Sequence, residues 1–193
     1  MTRLTLVPPS DWRHVPWRNG GGTTAEVLAE PGPGGRFLWR LSIADVAAAG
    51  PFSDFTGYDR HILLLAGKGF VLRFAEAPAR RLDRSLEPFA FDGGWRAGCE
   101  LVDGPVRDLN LMVSRDRARG ALRVIRLAAG ERAELPLAGT VLLHLVEGSL
   151  EAGGLPLSPG DTLRVDGGEG EPFAVVAGAP SSLVVATVTP APP

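Results

Sequence analysis

Arg40 and Arg60 carry the chemistry most readily read from this chain, because a guanidinium presents a rigid planar fork that grips a carboxylate through two parallel hydrogen bonds. Their neighbours can be sorted by side. In RFLWRLSIA, Phe37, Trp39, Leu41 and Ile43 share one strand face, while Leu38, Arg40, Ser42 and Ala44 share the other. Glu26 interrupts the apolar strand AEVLA, and in DLNLMV the residues Asp108, Asn110 and Met112 oppose Leu109, Leu111 and Val113. If these polar faces turn into one barrel, its interior holds Glu26, Arg40, Ser42 and Asn110, in a space suited to one small ligand. The competing account is a buried Glu26–Arg40 ion pair, an arrangement that adds little stability over apolar packing. In GPFSDFTGYDRHI, Phe52 and Phe55 are expected at the barrel mouth, with Ser53, Asp54 and Asp59 capping turns. Arg60 then supplies the second fork. His61, beside it, either faces the pocket or is an ordinary strand-face histidine. An enzyme here, a metal-independent isomerase or hydrolase, would use His61 or Glu26 as its base, yet no His–Asp or Cys–His dyad is legible.

The glycine run of PWRNGGGTT, Pro16–Thr24, suggests a phosphate cradle at first sight. It lacks the GxxxxGK[ST] and GxGxxG patterns, and it leads into a strand rather than a helix. It reads either as a tight turn or as a loop whose bare amides and Asn19 side chain approach a ligand. Metal ligation has little to work with. The histidines are His14, His61 and His144, with no HxH or HxxxH among them, so neither a metal nor another cofactor is expected. His144, in VLLHLVE, reads as a core histidine. The single cysteine, Cys99, excludes an internal disulfide, and the surrounding AGCEL offers no base to activate a thiolate.

These residues must be positioned by strands. Short apolar stretches alternate with turns rich in the 25 glycines and 17 prolines, and few stretches have helical period. The predicted strands run over 25–29, 37–44, 61–66, 70–74, 97–102, 106–114, 122–127, 141–147, 162–165, 173–177 and 183–189, with helix limited to a turn near 44–49 or 114–120. RHILLLAGKGFVLR (Arg60–Arg73) is echoed by VLLHLVEGSLEA (Val141–Ala152), and Pro88–Arg115 by Leu155–Gly168 with Phe173–Val188. Such a spacing suits a small β-barrel made twice. The expected architecture is all-β, an N-terminal barrel with the ligand pocket over 1–118 and a smaller C-terminal barrel over 119–193.

In PLSPGDTL, Pro156–Leu163, the proline presets a turn, the glycine takes positive φ and the aspartate bonds backbone amides around the corner. Coming after the strand and turn of HLVEGSLE, this resembles the second half of the cupin pattern, an antiparallel jelly roll, and two such halves make a bicupin. A narrower match covers most of residues 17–115. WRNGGGTTAEV, FLWRLSIADVAAAGPFSDFTGYDRHILLLAGKG and DLNLMVSR resemble the HutD/Ves family in order, spacing and wording, with Arg18 where a lysine is expected. That resemblance implies a non-catalytic regulator, a governor, of bacterial histidine utilisation. It also implies a small acidic ligand such as formylglutamate. Asn19, Glu26, Arg40, Ser42, Arg60, His61 and Asn110 are the expected ligand-binding residues.

Composition bounds the rest. A chain of 193 residues, 45% hydrophobic, can bury a real core. Its formal net charge of −2, with basic residues spread from end to end and all but Lys68 of them arginine, gives no footprint for nucleic acid. No apolar run approaches the ~20 residues of a spanning helix, and no basic leader opens the sequence, so a cytoplasmic protein without a membrane partner is expected. Self-association is the remaining alternative use of the barrels.

Overall fold

The computed structural model describes residues 2–167 and 172–192 and divides into two units, Arg13–Gly120 with 191–193, and 1–12 with Ala121–Pro190. The expected boundary at 118/119 thus lies two residues later. Residues 1–12 leave the first unit because β1 (Arg3–Val7) pairs antiparallel with β16 (Thr162–Gly167). Gly168, the expected end of one echoed segment, lies outside the described residues.

The first unit is built of two sheets. A six-stranded sheet has the order β2 (Arg13–Pro16), β3 (Gly22–Pro31), β4 (Phe37–Val46), β11 (Val106–Ser114), β6 (Tyr58–Ala66) and β9 (Phe89–Asp92). A four-stranded sheet has the order β5 (Gly50–Pro51), β10 (Ala97–Leu101), β7 (Phe70–Phe74) and β8 (Arg80–Leu82). Ala44, Val46, Ile62, Leu64 and Val106 of the larger sheet pack with Phe70, Leu72, Leu82 and Cys99 of the smaller one. Alternation extends this apolar inner face into polar residues on the same strands. On β4 it carries Val46 and Ala44, then Ser42 and Arg40; on β6, Leu64 and Ile62, then Arg60; on β11, Val106, then Asp108, Asn110 and Met112. One end of the face is a sealed core and the other is polar. The opposite face, with Trp39, Leu41, Ile43, Leu109, Leu111 and Val113, is buried as well.

In the second unit the sheet path is β1, β16, β14 (Gly139–Ala152), β17 (Phe173–Pro190) and β12 (Ala118–Leu127), with β13 (Arg132–Leu135) on β17 and β15 (Leu155–Leu157) on β14. Leu143, Leu145, Leu163, Val165, Val175, Leu183 and Val185 form its core. The Pro-Gly-Asp turn behaves as its residues dictate. Gly160 sits at φ 93°, and the Asp161 carboxylate accepts the Ser158 amide at 2.8 Å. Strands predicted separately at 173–177 and 183–189 are one strand, and 141–147 continues to Ala152, because register shifts on β14 and β17 carry the pairing past Gly148. The turns expected near 44–49 and 114–120 contain no helix; short 3-10 turns occur instead at Pro9–Asp11 and Pro33–Gly35. No helix among the described residues is long and apolar enough to cross a membrane.

Candidate functional site

The polar end of the inner face opens into a cavity of about 640 Å³ in the first unit, lined by β2, β3, β4, β6 and β11 and by residues 17–19, 51–53 and 55. Register explains how distant residues meet there. Arg40 and Arg60 are both paired with Met112, one on each side, and Glu26 and Asn110 flank Ser42 in the same way. A bulge in β3 between Glu26 and Leu28 resets its alternation, so that Ala29 rather than Leu28 comes opposite Arg40.

Arg40 carries its guanidinium between two rings, 5.0 Å from the Phe37 centroid and 5.2 Å from that of Phe55. Its Nη2 reaches the Met112 sulfur at 3.5 Å, while Nε is buried with no hydrogen-bond partner. Burial lowers its pKa, partly opposed by Glu26. The Glu26–Arg40 ion pair of the competing account does not form. Glu26 instead accepts Arg13 Nη2 at 3.0 Å, since β2 runs beside β3 and sets Arg13 directly opposite Glu26. With Arg13 mostly in solvent, that pair contributes little stability.

Arg60 is deeper, only 8% exposed, with its guanidinium 4.4 Å from the Phe52 ring centroid and 5.4 Å from that of Phe91. Desolvation brings it down to about 10, against the attraction of Asp108. Its Nε and Nη2 donate to Asn110 Oδ1, and Asn110 Nδ2 donates to Asp108 Oδ1. Burial pushes the Asp108 carboxyl up to about 7. Among the described residues, no carboxylate makes a salt bridge to Arg40 or Arg60. Contacts between a guanidinium and a ring face of this kind contribute ~0.5–2 kcal/mol each.

The glycine run is a turn that also delivers cavity residues. Gly20 has φ 71°, Asn19 Oδ1 accepts the Gly21 amide at 3.0 Å, and a Cβ on Gly22 would strike the Asp45 carbonyl oxygen. Trp17, whose Nε1 donates to Thr24 Oγ1 at 2.8 Å, fixes the loop so that Arg18 and Asn19 line the cavity.

Of the seven expected site residues, Asn19, Glu26, Arg40, Ser42, Arg60 and Asn110 line this cavity, and His61 does not. Adjacent strand residues point to opposite faces, so with Arg60 inward His61 lies on the other side, paired with Leu111 and Ala90. Sequence reasoning missed Arg13, Trp17 and Met112 as cavity residues, and above all Asp108. Its inward parity was visible in DLNLMV, but nothing local announced its complete burial. Among the described residues no group of histidine, cysteine and acidic side chains could hold a metal ion. His144 is a core residue of the second unit, bonded through Nδ1 to Thr162 Oγ1 at 3.0 Å and brought down to about 4 by burial.

An all-β chain with two antiparallel units of this kind, one of them enclosing a cationic cavity, is a jelly-roll protein of the cupin class, a bicupin. The HutD family model matches residues 9–183, and the chain belongs to that family. It is 36% identical over 160 residues, 75% of this chain and 84% of the relative, to a 21.2 kDa Pseudomonas putida protein of the hutC 3' region. To protein Ves of Citrobacter koseri it is 40% identical over 118 residues, 59% of this chain and 61% of the relative. The solved structure of HutD from Pseudomonas fluorescens SBW25 is 34% identical, with a TM-score of 0.86 over 98% of this chain and 100% of that one.

Proposed function

We propose that the chain is a metal-independent binder of a small acidic metabolite, held by its carboxylate between Arg40 and Arg60, and that it regulates histidine utilisation rather than catalysing a step of it. One observation carries this reading. A buried guanidinium, Arg60, and a half-buried one, Arg40, face a cavity of about 640 Å³, and no carboxylate of the described chain neutralises either by a salt bridge. Buried cations without a salt-bridge partner are costly unless a ligand completes them. Ser42, Asn110 and the Asn19 amide supply further polar contacts for an acid bearing an imidazole, formimino or formyl group, while Phe52 and Phe55 wall its apolar part. The pathway setting is supported by family membership and by the hutC 3' region of the Pseudomonas putida relative. The enzymatic alternative is weakened by geometry, since His61 faces away and Glu26 is engaged by Arg13.

The test is a thermal-shift and calorimetric screen of the full chain against formylglutamate, formiminoglutamate, urocanate and glutamate, followed by a turnover assay on any binder. One acid should raise the Tm and be recovered unchanged. If none of them binds, or if a bound acid is converted, the regulator reading falls.

A further inference from the structure

Arg60, Asn110 and Asp108 form one buried chain on the inner face, exposed by 8%, 2% and 1% respectively. Arg60 Nε and Nη2 both donate to Asn110 Oδ1, at 2.9 and 2.7 Å, and Asn110 Nδ2 donates to Asp108 Oδ1. The amide therefore separates a cation from a carboxyl, while Asp108 Oδ2 is buried without any partner. In this arrangement two of the Arg60 donors are committed to Asn110, and a ligand carboxylate would have to compete for them.

The Asn110 amide has a second orientation, half a turn away, with Oδ1 toward Asp108 and Nδ2 toward Arg60. Two conditions make it compatible with its surroundings. Asp108 must be protonated, because an amide oxygen facing a carboxylate leaves two acceptors with no proton between them. An acceptor must also sit beside Arg60, because Nδ2 against the guanidinium otherwise sets donors against donors. A bound carboxylate is that acceptor, taking Arg60 Nε, Arg60 Nη2 and Asn110 Nδ2 together.

We propose that Asn110 is a two-position relay through which a carboxylate binding at Arg60 draws one proton onto Asp108. This rests on the carboxylate reading above and adds its coupling to pH. The proton comes from solvent and adds to a carboxylate oxygen of Asp108; no bond of the ligand changes. The charged and titratable groups around Asp108 are Arg60 on β6, Arg40 and Asp45 on β4, Cys99 on β10 and, across the cavity, Glu26 on β3. Glu26 is paired with Arg13 and Asp45 with Arg107, and burial pushes the Cys99 thiol up to about 12. Burial brings Asp108 to about 7, against Arg60 and the Asn110 hydrogen bond, so the proton exchanges near neutrality.

Titration calorimetry of the full chain with the acids screened above, at pH 6, 7 and 8 in buffers of different ionisation enthalpy, tests the coupling. For a free-state midpoint near 7, uptake should approach one proton per bound acid at pH 8, and affinity there should be about tenfold weaker than at pH 6. In Asp108→Asn the new amide can donate to Asn110 Oδ1 once a carboxylate is bound, so the second orientation needs no proton uptake. That variant should bind equally well at pH 6 and pH 8, about tenfold tighter than the parent at the higher pH. Should it fail to fold, the proton count on the unsubstituted chain decides by itself. Tight binding with no proton uptake and a flat pH profile overturns the relay and leaves the carboxylate reading standing. Absence of binding at every pH overturns both.

Discussion

Replacing Asp108 by asparagine should change how the stability of the ligand-free protein depends on pH, by an amount the structure sets. In water an aspartate loses its proton near its ordinary value of 3.8, whereas burial holds the folded Asp108 carboxyl at about 7. The folded pKa is raised, so between these values the native state keeps a proton that the unfolded chain gives up. Its favourable contribution is therefore complete below about pH 4 and is lost as pH rises through 7. At 1.36 kcal/mol per unit, the loss over that interval is about 4 kcal/mol. The asparagine variant has no such proton, and the remaining acids, being common to both proteins, cancel in the difference. Guanidinium unfolding at a series of pH values measures this, with the fluorescence of Trp17, Trp39 and Trp95 reporting the first unit. Relative to the parent, the variant should gain about 4 kcal/mol between pH 4 and pH 8. Profiles that stay parallel to within ~1 kcal/mol would refute the buried, neutralised carboxyl.

Arg40→Met and Arg60→Met should each weaken binding of the identified acid ten- to hundredfold, the equivalent of roughly 1.5–3 kcal/mol for a lost charge-assisted bond, when compared by calorimetry on folded protein. His61→Gln, on the far face of β6, should bind as the parent does in the same experiment. Gly22→Ala should lower stability by roughly 1–3 kcal/mol in chemical denaturation, because its Cβ meets backbone rather than a movable side chain. Cys99, 3% exposed and with its thiol pushed up to about 12, should resist alkylation at pH 8 until the first unit unfolds, as followed by mass spectrometry. Elemental analysis of tag-free protein should find no stoichiometric transition metal; one ion per chain retained through chelation would count against the metal-independent reading.

Short-range rules made much of the site legible in the sequence. Alternation along RFLWRLSIA and DLNLMV separated Arg40, Ser42 and Asn110 from Trp39, Leu41 and Leu111, because a strand's two faces are set by its own pleat. The Pro-Gly-Asp turn and the φ of Gly160 came from proline and glycine backbone preferences, which need no tertiary partner. The same alternation sets Arg60 and His61 on opposite faces of β6, so the expectation that both line one pocket failed at His61. Partnership was another matter. Glu26 pairs with Arg13 rather than Arg40 because a short edge strand, unmarked by apolar alternation, lies beside β3, and β1 joins the second unit because its hydrogen bonds go to residues some 160 positions away. Asp108 was visible as an inward-facing residue, but its burial depends on two sheets closing over it. Strand faces are properties of a few consecutive residues; ion-pair partners, desolvation and the resulting pKa values depend on which distant strands become neighbours, and only the tertiary structure decides that.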